Sequence, residues 1–193
     1  MLPKKYLNKL RGNLHNYALL RRDVIKTSDD ALHHAKRAVF ALQRQNIAEA
    51  EEKLIESENL LKKAKKMASG SSGTRDEGAY LAALEEFVEA TLFYQFVTTG
   101  KIGEVKAFAI SGESYLAGLC DLPGELYRYA IAAATRHDMN MVKQCNDLAS
   151  DIIGELIEFN LTNYLRNKFD QAKSAAQKLE QVVYEVSLRE LEK

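Results

Sequence analysis

The stretch DLPGE, residues 121–125, sets two carboxylates, Asp121 and Glu125, four residues apart around a proline and a glycine. About thirty residues earlier, LEEFVEA places Glu86 and Glu89 three apart and runs on into the apolar TLFYQF. Side chains three or four residues apart share one face of a helix, so each pair points one way. Should the two segments pack together as helices, four acids converge. Carboxylates crowded into a low-dielectric space must take up protons, pair with Arg or Lys, or bind a cation. Oxygen-only ligands favour Mg²⁺, or Mn²⁺ as the alternative, over zinc. Arg128, one turn beyond Gly124, offers an ion-pair partner instead. The same spacings also serve a solvated face or a set of structural salt bridges.

Other chemistries find little support. The four histidines show neither an ExxH nor an HxxxH spacing, which argues against a ferritin-like di-iron centre. There is no P-loop, no GxGxxG and no nucleophile–base arrangement. Cys120 and Cys145 make neither a disulfide framework nor a zinc signature, and read as buried thiols in a reducing compartment. No run of eighteen apolar residues and no apolar N-terminal signal core occurs, so the expected location is cytoplasmic.

The elements that must position the acids are helical throughout. The chain has 193 residues, 46% hydrophobic and 28% charged, which suits one domain spanning 1–193 with a sizeable core. Apolar periodicity predicts helices over about 4–44 (one long helix, or two divided at TSDD, 27–30), 46–68, 75–98, 113–136, 139–159 and 164–190. ASGSSGTRDEG, 68–78, reads as a flexible link, and 98–114 as an irregular connection with a short helical piece. NLTN at 160–163 marks a break and an N-cap. Pro123 should kink or loosen its helix, and Gly124 should permit a close approach by another backbone or a ligand. No strand alternation competes, so the fold class is all-α.

The net charge of zero hides an asymmetry. Residues 1–66 carry fifteen Lys and Arg against eight Asp and Glu, a balance of +7 that the remainder reverses. On a helical projection, Lys4, Arg11, His15, Arg22, Lys26, His33, Lys36, Arg37 and Arg44 fall in one band of roughly 100°. Leu7, Leu10, Leu14, Ile25, Leu32 and Val39 fall on a neighbouring one. A basic face of this kind suits phosphate contacts that are independent of base sequence and weakened by salt; Arg11, Arg22, Lys36 and Arg37 are the candidates. Tyr80, Phe87, Phe93, Tyr94 and Phe96 have the types to stack on bases, but their spacing favours a place in the core.

At these residues the sequence resembles the translin superfamily. ESYLAGLCDLPGELYRYAI (113–131), LEEFVEA (84–90), LRNKFDQAKSAAQKLEQVVYEVSLREL (165–191) and RRDVIKTSDDALHHAKRAVFALQR (21–44) carry the likeness, in order and along nearly the whole chain. Glu86, Glu89 and DLPGE make it similar to the branch of translin-associated factor X rather than to translin. Pro123 stands where that family usually has threonine. The chain also lacks the long insert and extended tails of eukaryotic members, which suggests a compact prokaryotic or archaeal type able to act without a separate translin subunit, with a translin-type partner subunit as the alternative.

The resemblance implies an antiparallel bundle of about seven helices assembled into a hollow homo-oligomer, typically an octamer, with RNA held inside. It implies Mg²⁺-dependent endonucleolysis of single-stranded RNA, with Glu86, Glu89, Asp121 and Glu125 as metal ligands and catalytic residues. The alternative for one of these carboxylates is general base toward the attacking water, for which Glu89 is the candidate. The competing expectation is a translin-type holder of single-stranded RNA or DNA that does not cut.

Overall fold

The computed structural model describes residues 2–68 and 78–191. Six helices account for most of them: α1 (Lys4–Gln43), α2 (Ile47–Ala68), α3 (Gly78–Thr99), α4 (Gly112–Thr135), α5 (Met139–Ile157) and α6 (Asn163–Leu191). No strand occurs among the described residues. The fold is all-α as expected, but with six helices where the resemblance implied about seven. The short helical piece expected between α3 and α4 does not form; residues 101–110 are irregular. Most of the expected Gly/Ser link, and the start expected for α3 at 75, lie outside the described residues.

α1 runs unbroken through TSDD. Thr27 and Ser28 face the core, and the Ser28 hydroxyl donates to the Val24 carbonyl at 2.8 Å, one turn back. Its hydroxyl is thus spent on the helix's own backbone rather than on a cap. The earliest buried residue of α1 is Val24. Leu7 and Leu10, expected in an apolar seam, are half-buried, and Leu14 is 67% exposed.

Two turns share one design. After α1, Asn46 N–H donates to Ala41 O and Gln45 N–H to Leu42 O; after α4, Asp138 donates to Ala133 O and His137 to Ala134 O. Both are Schellman motifs, and the left-handed position is taken by Gln45 and His137, each at φ 61°, rather than by glycine. Asp138 then caps α5 through Met141 N–H, and Ser111 caps α4 through Ser114 N–H.

α1 and α2 pack on α3 and on each other, and α4 packs on α3 as well as on α5 and α6. The α3–α4 contact therefore joins two groups of three helices. α3 is apolar nearly all round, as a central helix must be: Leu84, Phe87, Val88, Leu92, Phe93 and Phe96 are all buried. Of the aromatic residues with stacking potential, Tyr80, Phe87, Phe93 and Phe96 belong to this core and Tyr94 is half-buried. Leu81 of α3 and Ile131 of α4 lie outside this packing, 37% and 42% exposed.

The close approach of α4 to α3 is made by Gly118. A Cβ there would stand 2.6 Å from the Glu85 carbonyl oxygen and 2.8 Å from Val88 Cβ. Gly124, expected to play that part, has nothing within 4 Å of such a position. Pro123 is buried inside α4, which continues past it to Thr135. Cys120 and Cys145 are free, buried thiols; burial pushes them up to about 11 and about 12. Among the described residues no helix is long and apolar enough to cross a membrane.

Candidate active site

α3 and α4 do bring the four acids into one electrostatic cluster. Glu89 is the most buried of the four. It is 8% exposed, and among the described residues it has neither a hydrogen bond nor an ion pair. Burial drives its carboxyl well above the ordinary carboxylate range, and the charges of Glu86, Asp121 and Glu125 push the same way. Burial also raises Glu86; Lys36 opposes the rise, and Asp121 and Glu125 add to it.

The other three acids are held by cations or amides of the protein. Glu86 has Lys36 Nζ of α1 at 3.8 Å. Glu125 accepts from Arg128 Nη1 at 2.9 Å and from Gln43 Nε2 at 2.8 Å. Gln43 also donates to the Glu125 carbonyl at 3.0 Å, which fixes the end of α1 to the middle of α4. Asp121 accepts from Lys168 Nζ of α6. Burial raises the Asp121 carboxyl, and the bond from Lys168 pulls against it.

Lys168 has a second partner, Glu85 of α3, at 3.3 Å. The Tyr164 hydroxyl donates to Glu85 Oε2 at 2.6 Å, and the Lys168 ammonium lies 5.3 Å from the centre of the Tyr164 ring. Burial works to lower the Lys168 ammonium, but the bond and charge of Asp121, with the charge of Glu85, win and raise it.

Oxygen donors alone suit a hard divalent ion, and a buried carboxylate without a partner is what such an ion would satisfy. The donor chemistry therefore fits Mg²⁺. The side chains as they stand are turned to their own cations. Among the described residues, no three His, Cys, Asp or Glu side chains come together closely enough to hold an ion. Loading a metal requires the carboxylates to turn from Lys168, Arg128 and Lys36 toward Glu89.

The basic candidates divide along α1. Lys36 reaches the acid cluster through Glu86. Arg37, the next residue, turns to α2 and lies 3.7 Å from Glu49, which Arg44 also binds at 3.2 Å. Arg11 and Arg22 are exposed on the half of α1 that precedes the core, Arg11 with a 3.3 Å bond to Asn8.

The Translin family model matches residues 20–190. The chain belongs to the Translin family. Among curated relatives it is similar to a translin-associated protein X homolog of Schizosaccharomyces pombe, 23% identical over 90% of this chain and 83% of that protein. Translin of Gallus gallus is 32% identical, but over 46% of this chain and 39% of its own length. Among solved structures, AfC3PO in complex with duplex RNA superposes with a TM-score of 0.88, at 21% identity, over 97% of this chain and 100% of that one. The likeness to the translin-associated protein X branch thus extends along the chain, whereas the chicken translin match covers less than half of it.

Within this translin-type fold, the sequence reading found the four acids and Arg128 but missed Gln43, Glu85, Tyr164 and Lys168. Glu85 adjoins Glu86 in LEEFVEA and was legible as a further acid. Nothing local marks Gln43, Tyr164 or Lys168, whose roles depend on where α1 and α6 pack.

Proposed function

We propose that the chain is a Mg²⁺-dependent endoribonuclease that cleaves single-stranded RNA within a hollow homo-oligomer. The observation that carries this reading is Glu89, a buried residue whose carboxylate makes no hydrogen bond or ion pair among the described residues and feels the charges of Glu86, Asp121 and Glu125. Membership of the Translin family, likeness to the translin-associated protein X homolog, and the duplex RNA in the AfC3PO complex support it.

Glu86, Glu89, Asp121 and Glu125 are the residues that would hold Mg²⁺, or Mn²⁺ in its place. When bound, such an ion lowers the pKa of a coordinated water and stabilises charge developing on a phosphoryl oxygen. Lys36, beside Glu86, lies where it can steady the phosphate next to the acids. Arg11 and Arg22 carry the remote backbone contacts, and Arg37, drawn to Glu49, contributes least. The exposed Tyr6, Leu14 and Leu19 of α1 and Tyr184 and Leu188 of α6 supply apolar surface for association between copies; an octamer is the size the family resemblance implies.

End-labelled single-stranded and duplex RNA, incubated with Mg²⁺, Mn²⁺ or EDTA, test the reading. Internal cleavage of the single strand with either metal, absent in EDTA, is expected. Glu89→Gln should lower the rate by about 10²-fold or more, as loss of a transition-state stabiliser does. Retained cleavage in Glu89→Gln refutes the site. Binding of RNA without cleavage under any metal establishes the second reading, a non-catalytic translin-type holder of single-stranded RNA or DNA. That reading is favoured by the ion pairs already made by Glu86, Asp121 and Glu125.

A further inference from the structure

We propose that Lys168 is a resident counter-cation of the acid cluster that competes with a divalent ion for Asp121 and has a second station beside Glu85 and Tyr164. The inference rests on the reading of Glu86, Glu89, Asp121 and Glu125 as a metal site.

Three observations carry it. First, the cluster's cations differ in burial: the side chains of Lys36 and Arg128 are 53% and 50% exposed, that of Lys168 13%. Lys36 and Arg128 can turn into solvent when a metal arrives. Lys168 cannot do so without leaving the protein interior.

Second, Lys168 contacts two carboxylates on different helices, Asp121 of α4 and Glu85 of α3. Asp121 belongs to the proposed metal set. Glu85 does not, and its Oε2 is fixed by the Tyr164 hydroxyl at 2.6 Å. The Tyr164 ring lies under the ammonium and adds a cation–π contact. An ammonium released from Asp121 thus keeps a carboxylate and an aromatic face without re-entering water.

Third, Glu89 stays unpartnered although Lys168 lies near enough to act on it electrostatically. The lysine offsets part of the cluster's charge without pairing with Glu89. A flexible ammonium with three donors suits exchange between two acids better than a rigid, bidentate guanidinium does.

A purely structural tie of α6 to α3 and α4 predicts the opposite effect on metal affinity, so Mn²⁺ binding separates the two. Free and bound Mn²⁺ are measured by electron paramagnetic resonance on the full chain at fixed pH and ionic strength, with folding checked by circular dichroism. Wild type, Glu89→Gln, Lys168→Met, Lys168→Arg, Glu85→Gln and the double variant Lys168→Met/Glu85→Gln are compared.

Removing a unit charge so near a divalent ion should tighten binding by about tenfold in Lys168→Met, whereas Lys168→Arg should not tighten it. Glu85→Gln removes the second station and should weaken Mn²⁺ binding, and this effect should be smaller once Lys168 is gone, when only the lost Glu85 charge remains. Lys168→Gln, which keeps a donor toward Asp121 without charge, replaces Lys168→Met if that variant does not fold, with the same tightening expected. Mn²⁺ bound by wild type, lost in Glu89→Gln, and bound no more tightly without the lysine overturns the inference and leaves the metal site standing. No Glu89-dependent Mn²⁺ binding with or without Lys168 overturns both.

Discussion

Gly118 lies so close to α3 that a methyl group on its Cα would stand 2.6 Å from the carbonyl oxygen of Glu85. This contact sets the distance between the helices that bear Glu85, Glu86 and Glu89 on one side and Asp121 and Glu125 on the other. Backbone cannot yield as the end of a side chain can, so Gly118→Ala must push the helices apart. The cost expected is about 1–3 kcal/mol, the range for overpacking. Gly124→Ala meets nothing and replaces a poor helix former, so it should be neutral or stabilise by about 0.5–1 kcal/mol. Urea unfolding in EDTA compares the two. Equal effects would show that Gly118 does not set the approach.

Much of this arrangement is legible in the sequence, for reasons that differ by element. Apolar period fixes α2, α4, α5 and α6 to within a few residues because each buries one face. The acid pairs are legible because three- and four-residue spacing is a local property of a helix. Their convergence depends on α3 packing against α4, which spacing does not encode, and the glycine that permits it is Gly118 rather than the more conspicuous Gly124 beside Pro123. Lys168 is out of reach of any local pattern: it meets Asp121 47 positions away in sequence, and only the docking of α6 decides which of the chain's lysines does so. The seam of Leu7, Leu10 and Leu14 correctly signals a helix, yet periodicity does not say that the chain only half-buries Leu7 and Leu10 and leaves Leu14 exposed. Likewise the basic band treats Lys36 and Arg37 as equivalent, and one residue's rotation sends them to different neighbours.

The raised carboxyl of Glu89 makes stability depend on pH with a definite sign. Burial is its first cause, with Glu86, Asp121 and Glu125 adding to it. An acid whose folded pKa exceeds its unfolded value binds more protons when folded between the two. Stability is then full below the ordinary carboxylate value and falls as pH rises through the folded one. Glu86 and Asp121 are shifted the same way and deepen the fall. One such group contributes a slope of up to about 1.4 kcal/mol per pH unit. Glu89→Gln should flatten the profile measured by urea unfolding in EDTA and gain most over wild type at the alkaline end. Parallel profiles for the two proteins would mean that Glu89 ionises without cost.

Lys36 and Arg37 offer a sharper test of the basic band than their joint removal. Lys36 Nζ is 3.8 Å from Glu86, and Arg37 is 3.7 Å from Glu49 on α2. If RNA passes the acid cluster, Lys36→Ala should weaken binding at every sequence and reduce the salt slope by roughly 0.7, the value for one phosphate contact with a single strand. Arg37→Ala should change both less. Fluorescence anisotropy over a salt series, in a Glu89→Gln background to prevent cleavage, reads both quantities. An unchanged slope in Lys36→Ala would remove this residue from the RNA path.

The first half of α1 makes a separable prediction about assembly. No described residue of α1 before Val24 is buried, while Tyr6, Leu14 and Leu19 are 59%, 67% and 44% exposed. A stretch of helix with no buried residue contributes little hydrophobic stabilisation to its own bundle. Its apolar residues gain most when covered by another copy, and its basic residues then add positive charge to the assembly. A chain lacking residues 2–19 should therefore keep its helical spectrum and a cooperative melt, because Val24 and the residues after it retain their contacts. Its sedimentation should shift to a smaller species, and its apparent melting point should lose the concentration dependence that association confers. Loss of the cooperative melt in the shortened chain would place the arm within the folding unit. An assembly of undiminished subunit number would move the contact between copies to the exposed faces of α4 and α6 around Ile131 and Leu188.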